Sequence, residues 1–207
     1  MGARDERSAA AHGAFLPVAC LCALAALSFV LAAATFPGGG YNPAYMMLSV
    51  LGRTEVRLVE NTWSHHFFVV GMFISALAVA FAAWRVGLSR CGAALNIAGI
   101  VWIALAPENV SMALHNAGCW LAAAGGAVLL FAWRRKEQSR RVRCAWTAAL
   151  VLPISLMGVA LAASAFGILP FAPFVPSAQK VVILSFAAWL VFLSAHTARR
   201  REAHCNR

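Results

Sequence analysis

Residues 64–86 read Ser64-His65-His66-Phe67-Phe68-Val69-Val70-Gly71-Met72-Phe73-Ile74-Ser75-Ala76-Leu77-Ala78-Val79-Ala80-Phe81-Ala82-Ala83-Trp84-Arg85-Val86. No charged side chain stands between His66 and Arg85. As a helix this run is about 34 Å long, enough to cross a hydrocarbon core of about 30 Å. Strands are excluded because the run lacks barrel-type alternation, and lipid offers an open backbone no hydrogen-bond partner.

Working outward, five further runs of similar character follow the same logic. They lie near 14–35, 90–106, 113–133, 145–166 and 180–197, the third span in chain order (90–106) being the shortest. The chain of 207 residues is 62% hydrophobic and 12% charged, with mean hydropathy +0.75. Soluble domains carry about 25% charged residues, so the expected fold is an all-α integral membrane bundle of six transmembrane helices, one domain over residues 1–207. Arg4 and Arg7 before an apolar stretch ending Ala32-Ala33-Ala34 also resemble a signal peptide. The stretch is longer than a usual signal core, which favours a retained helix.

The net charge of +10 is not a nucleic-acid signature, because the cations sit between apolar runs. The N-terminus, the second-to-third connection, the fourth-to-fifth connection and the tail hold 14 of the 17 Lys and Arg residues. The alternate connections hold only Arg53, Arg57 and Lys180. Lys and Arg stay on the cytoplasmic side during insertion. Six spans with both termini cytoplasmic, in a plasma (inner) membrane, are therefore expected, with membrane lipids as partners and no nucleic acid. Of the six cysteines (20, 22, 91, 119, 144, 205), most fall in or against spans and none forms a C-x-x-C pair. They read as packing residues rather than disulfides or zinc ligands.

The connections expected outside are the richer ones: 36–63, 107–112 and 167–179. The last holds Pro170, Pro173 and Pro176 and reads as a stiff, non-helical cover. The first, with Tyr41, Tyr45, Met46 and Met47, suits a segment lying at headgroup depth. Asn61 and His65 are four apart and share a face if the second helix starts early. With Pro107 in a first helical turn, Glu108, Ser111 and His115 would form one polar stripe entering the fourth span. A histidine at the depth of His115 is costly unless it faces a neighbour or a wet cavity. Asn96 within the third span is expected to face another helix, and Gly71/Ser75, Gly118/Ala122 and Gly158/Ala162 are small-residue pairs suited to close helix packing. His65, His66, His115 and Glu108 are metal-compatible types, but no metal-binding spacing joins them, so no metal and no cofactor is expected. No nucleophile elbow supports Ser49 or Ser64 as a nucleophile.

The run Tyr41-Asn42-Pro43, then Ser49-Val50-Leu51-Gly52-Arg53-Thr54, then Asn61 and Phe67-Phe68, with His115-Asn116 opening a later helix, resembles the DUF998 family of polytopic membrane proteins (Frag1/DRAM/Sfk1-like). The resemblance covers most of the chain and implies six spans, an S-x-L-G element after the first of them, and no established reaction. An acidic residue often stands between Ser and Leu in that family, where this chain has Val50.

The leading functional expectation is a protein that binds a lipid or other amphiphile at an outer polar site built from Ser49, Gly52, Asn61, His65, Glu108, His115 and Asn116. The alternative is an enzyme acting on a lipid headgroup, with His115 as base or ligand and Glu108 assisting. A small transporter ranks third, because mid-span polarity is limited to Asn96 and scattered hydroxyls.

Overall fold

The computed structural model describes residues 2–38, 40–167 and 174–205. They form six α-helices: α1 (Gly2–Ala34), α2 (Thr62–Val86), α3 (Arg90–Leu105), α4 (Met112–Lys136), α5 (Arg140–Ala165) and α6 (Phe174–Cys205). The all-α membrane bundle read from the sequence is what the chain forms. Five helices are long and apolar enough to cross a membrane; α3, at 16 residues, is shorter.

The ends of the helices around α3 have local causes. Gly87 takes φ +70°, a left-handed conformation that costs glycine little, and closes α2. Ser89 caps α3 by accepting from the Gly92 amide at 3.2 Å. Pro107 pushes Ala106 out of the helical region, to φ −115° and ψ 81°, and ends α3. Ser111 caps α4 by accepting from the Leu114 amide.

The tightest packing is between α3 and α4. A Cβ on Gly99 would stand 2.2 Å from the Ala122 amide nitrogen, and one on Gly125 would stand 2.2 Å from that of Asn96. Gly92 lies against Leu129, and Gly118 against Ile103. In each of these four pairs one number rises as the other falls, so the two helices run antiparallel in one register over 92–103 and 118–129. Asn96 Nδ2 donates to the Ala122 carbonyl at 2.6 Å within this contact, as expected of a polar residue facing a neighbour. Of the small-residue pairs, Gly118/Ala122 lies in this contact and Gly71 meets the Phe29 ring, while Gly158 has no neighbour within 4 Å.

Around that pair, α2 packs on α3, α1 on α2 and α6, and α5 chiefly on α6. α5 is the most peripheral span: 6% of its apolar window is buried, against 33% for α2. One core lies toward the basic connections and contains Val18, Val79, Leu129, Trp133, Trp189 and Leu193. Trp133 and Trp189 meet edge to face there, with centroids 5.8 Å apart. The second core, of Ala32, Phe36, Leu51 and Phe68, lies at the opposite end beneath residues 36–61.

Two expectations are corrected. Residues from Phe174 onward are helical, so Pro176 belongs to the first turn of α6, where its missing N–H has no partner to lose. Pro170 and Pro173 lie outside the described residues. Pro107–Ser111 form a turn rather than a first helical turn, the Val110 and Ser111 amides both donating to the Pro107 carbonyl. Glu108 and Ser111 therefore precede α4, and no helical stripe joins them to His115.

Candidate functional site

The segment between α1 and α2 is a folded cap. A 3₁₀ turn spans Leu48–Gly52, and an antiparallel hairpin pairs β1 (Glu55–Val56) with β2 (Val59–Glu60). The hairpin turn places Arg57 at φ 51° and Leu58 at φ 66°. That is the type I′ pattern, in which Asn-Gly is the favoured pair.

Four side chains from the start of α2 hold the 3₁₀ turn. Asn61, 1% exposed, donates to the Leu51 carbonyl at 3.2 Å and to the Arg53 carbonyl at 2.7 Å. Ser64 donates to Leu51 at 3.1 Å, and His65 Nδ1 to Gly52 at 2.8 Å. Phe68 lies so close to Gly52 that a Cβ there would be 2.5 Å from its ring. The glycine of the Ser49–Gly52 element is thus a matter of space. A carbonyl can only accept, so His65 carries its proton on Nδ1 and keeps Nε2 as an acceptor when neutral.

From the far side, Glu108 reaches the same turn. Its Oε2 accepts from the Ser49 hydroxyl at 3.0 Å, and its Oε1 pairs with the Arg53 guanidinium at 2.9 Å. The carboxylate side chain is 12% exposed and that of Arg53 is 35% exposed. Next to it, Asn109 and Thr54 exchange two hydrogen bonds, from the Thr54 amide at 3.1 Å and from Asn109 Nδ2 at 3.0 Å. The third anchor is the start of α6. Gln179 Oε1 accepts from the Leu48 amide at 2.7 Å, and Lys180 donates to the Met46 carbonyl at 2.6 Å while standing 5.6 Å from the Tyr41 ring. Burial pushes the Tyr41 phenol up to about 12, and its hydroxyl donates to Met46 at 3.1 Å.

Six of the seven residues singled out from the sequence therefore meet at this end of the bundle. Ser49, Gly52, Asn61, His65 and Glu108 share one bonded network. His115, 3% exposed, sits beside it and directs Nδ1 to the Ala106 carbonyl at 2.9 Å, closing the α3–α4 turn two residues from Glu108. Asn116 is exposed on the other face of α4 and does not join. Arg53 and Lys180 were missed as site residues. The available signal was their position among the three cations on the cation-poor connections. The third, Arg57, reaches the Gly38 carbonyl at 3.3 Å.

Chemically the network is a latch with an open edge. Glu108 and His115 are committed to holding backbone and side chains, whereas Arg53 and His65 are each fixed by one bond and remain partly exposed. Tyr45 and Trp63 stand exposed on the same cap. Among the described residues, no three His, Cys, Asp or Glu side chains lie close enough together to hold a metal ion. No family model, curated protein or solved structure matches this chain.

Proposed function

We propose that this is a six-span plasma-membrane protein with cytoplasmic termini, whose outer cap binds the anionic headgroup of a lipid or other amphiphile. Two observations support the topology. The antiparallel register of α3 along α4 supports a crossing by α3 beside that of α4. The excess of Lys and Arg on the alternate connections supports a cytoplasmic side for those connections and both termini. The resemblance to the DUF998 family implies the same number of spans and says nothing of their orientation.

The observation that carries the binding reading is the pair Arg53 and His65 on either side of Gly52. Each is anchored from behind, by Glu108 or by the Gly52 carbonyl, and each keeps further hydrogen-bonding capacity. A guanidinium preorganised by a carboxylate suits a phosphate or carboxylate headgroup. Exposed Tyr45 and Trp63 suit the interfacial depth of such a headgroup. Ser49, Asn61 and Glu108 serve as positioning residues, and His115 braces the turn that carries Glu108.

Extraction in mild detergent followed by lipid mass spectrometry tests this. Wild-type protein should retain an acidic amphiphile above its share in the membrane, and Arg53→Gln and His65→Ala should lose it with normal expression. Equal lipid profiles in all three proteins would sink the reading.

A further inference from the structure

At the end of the bundle opposite the cap, the turn between α4 and α5 is short and one-sided in charge. α4 ends at Lys136 and α5 starts at Arg140, so residues 137–139 alone join them. Around that turn stand Arg134, Arg135, Lys136, Arg140, Arg141 and Arg143, six cations in ten residues. The neighbouring α2–α3 turn, which Lys136 reaches through the Gly87 carbonyl at 2.8 Å, holds two cations, Arg85 and Arg90. The one carboxylate of the stretch faces inward: Glu137 is 3% exposed and is taken up by Arg200, the Ser139 amide and His196. Arg134, Arg135, Arg140 and Arg141 are exposed, and none of the four has an ion pair among the described residues. Burying the acid therefore leaves the exposed surface of the turn uncompensated.

We infer that this turn holds the headgroups of anionic phospholipids in the leaflet at its end of the bundle. Two features favour a lipid over a soluble polyanion. So short a turn cannot carry its arginines away from the helices, and they stay within a helical turn of the ends of two apolar spans, at headgroup depth. A cluster of about four to eight Lys and Arg residues directly beside a membrane-crossing helix is also the pattern that recruits acidic lipid. The arginine stems lie along the hydrocarbon edge while the guanidinium groups reach phosphate oxygens. Net negative charge then separates phosphatidylglycerol from phosphatidylcholine, which share that phosphate. The site is separate from the cap and does not depend on how the cap is read.

Native mass spectrometry of the full chain in neutral detergent, titrated with phosphatidylglycerol or phosphatidylcholine, tests this. Wild type should retain phosphatidylglycerol preferentially, and added salt should erode the preference. Arg140→Gln combined with Arg141→Gln should lower it roughly 25-fold, about fivefold for each interfacial cation. Arg140→Lys combined with Arg141→Lys should keep most of it. Both positions are exposed, so the two double variants should fold and melt like wild type. Equal retention of the two lipids by wild type would overturn the inference, as would a Gln double variant with the wild-type preference. So would a Gln double variant that keeps phosphatidylglycerol but loses a poly-glutamate peptide bound by wild type, which would make an acidic protein the partner. Arg53→Gln leaves this turn intact and should preserve the difference between wild type and the Gln double variant, so failure at the cap and failure here are distinguishable.

Discussion

Replacing Gly99 with Ala puts a methyl carbon 2.2 Å from the Ala122 amide nitrogen and 2.7 Å from the Gly118 carbonyl oxygen. Heavy atoms rest at about 3.5–4.0 Å, so α3 and α4 must part by roughly 1.3 Å at that level. A gap of this size forfeits about half of the dispersion attraction of the atoms on either side. It also draws Asn96 Nδ2 away from the Ala122 carbonyl, 2.6 Å distant, and leaves a buried amide short of a partner. Overpacking costs about 1–3 kcal/mol and the unmet amide about 1–3 kcal/mol. The better helix propensity of Ala offsets about 1 kcal/mol. The net loss is about 1–5 kcal/mol, and at about 2–4 °C per kcal/mol for a chain of this length Gly99→Ala should melt roughly 2–20 °C below wild type. The measurement is the fraction of monodisperse protein left after stepwise heating in detergent, read by size-exclusion chromatography. Gly125→Ala should behave alike, since its Cβ meets the Asn96 backbone at 2.2 Å. Gly158→Ala, with nothing within 4 Å, should match or slightly exceed wild type. If Gly99→Ala and Gly125→Ala melt with Gly158→Ala, α3 does not lie backbone to backbone along α4, and the full crossing assigned to it loses its support.

Glu108→Gln removes the charge that holds Arg53 while keeping the shape; proteolysis within residues 48–60 should then quicken severalfold, and Ser49→Ala should have a comparable effect, since a partly exposed ion pair and one hydroxyl bond are each worth about 1 kcal/mol. Asn61→Leu strips two donations from a residue 1% exposed and should cost about 2–3 kcal/mol, seen as faster amide exchange across Leu48–Gly52 than across α3. Tyr41 should ionise late, near 12, in an ultraviolet alkaline titration. Because its folded value lies above the ordinary 10, folding holds an extra proton between these values, so the cap should lose stability as pH rises from about 10 to about 12. A Tyr41 titration near 10 would show the ring to be solvated. At the basic end, Glu137, 3% exposed, accepts from Arg200 and from the Ser139 amide at 2.8 Å, with His196 Nε2 at 3.3 Å. Glu137→Ala should therefore lower the melting temperature by several degrees, because it leaves these groups unpaired around a buried site.

The helical class, the spans to within a few residues at most ends, and the cation asymmetry were legible in the chain of letters. Membrane partition is close to a sum over consecutive residues, and a window of about twenty is enough to read it. The exposed ends were harder. The 3₁₀ turn and the hairpin with Arg57 and Leu58 at positive φ carry no sequence signal, because neither residue favours that conformation alone. The stripe assumed for Glu108, Ser111 and His115 failed because Pro107 opens a turn there instead of a helix. Asn61, His65 and the Ser49–Gly52 element were within reach, since a histidine and an amide at a helix mouth need partners. Which partners they take was not.

What the linear chain determined by itself is therefore the part governed by additive transfer free energies: an all-helical membrane bundle and where its apolar helices run. Tertiary structure alone decided that Glu108 closes on Ser49 and Arg53 across separations of 59 and 55 residues, that Lys180 and Gln179 pin the same loop from α6, and that Asn116 stays outside. Those pairings depend on the helix register set where Gly99 and Gly125 let two backbones touch. Such a contact is a property of two surfaces meeting, and no single segment contains it.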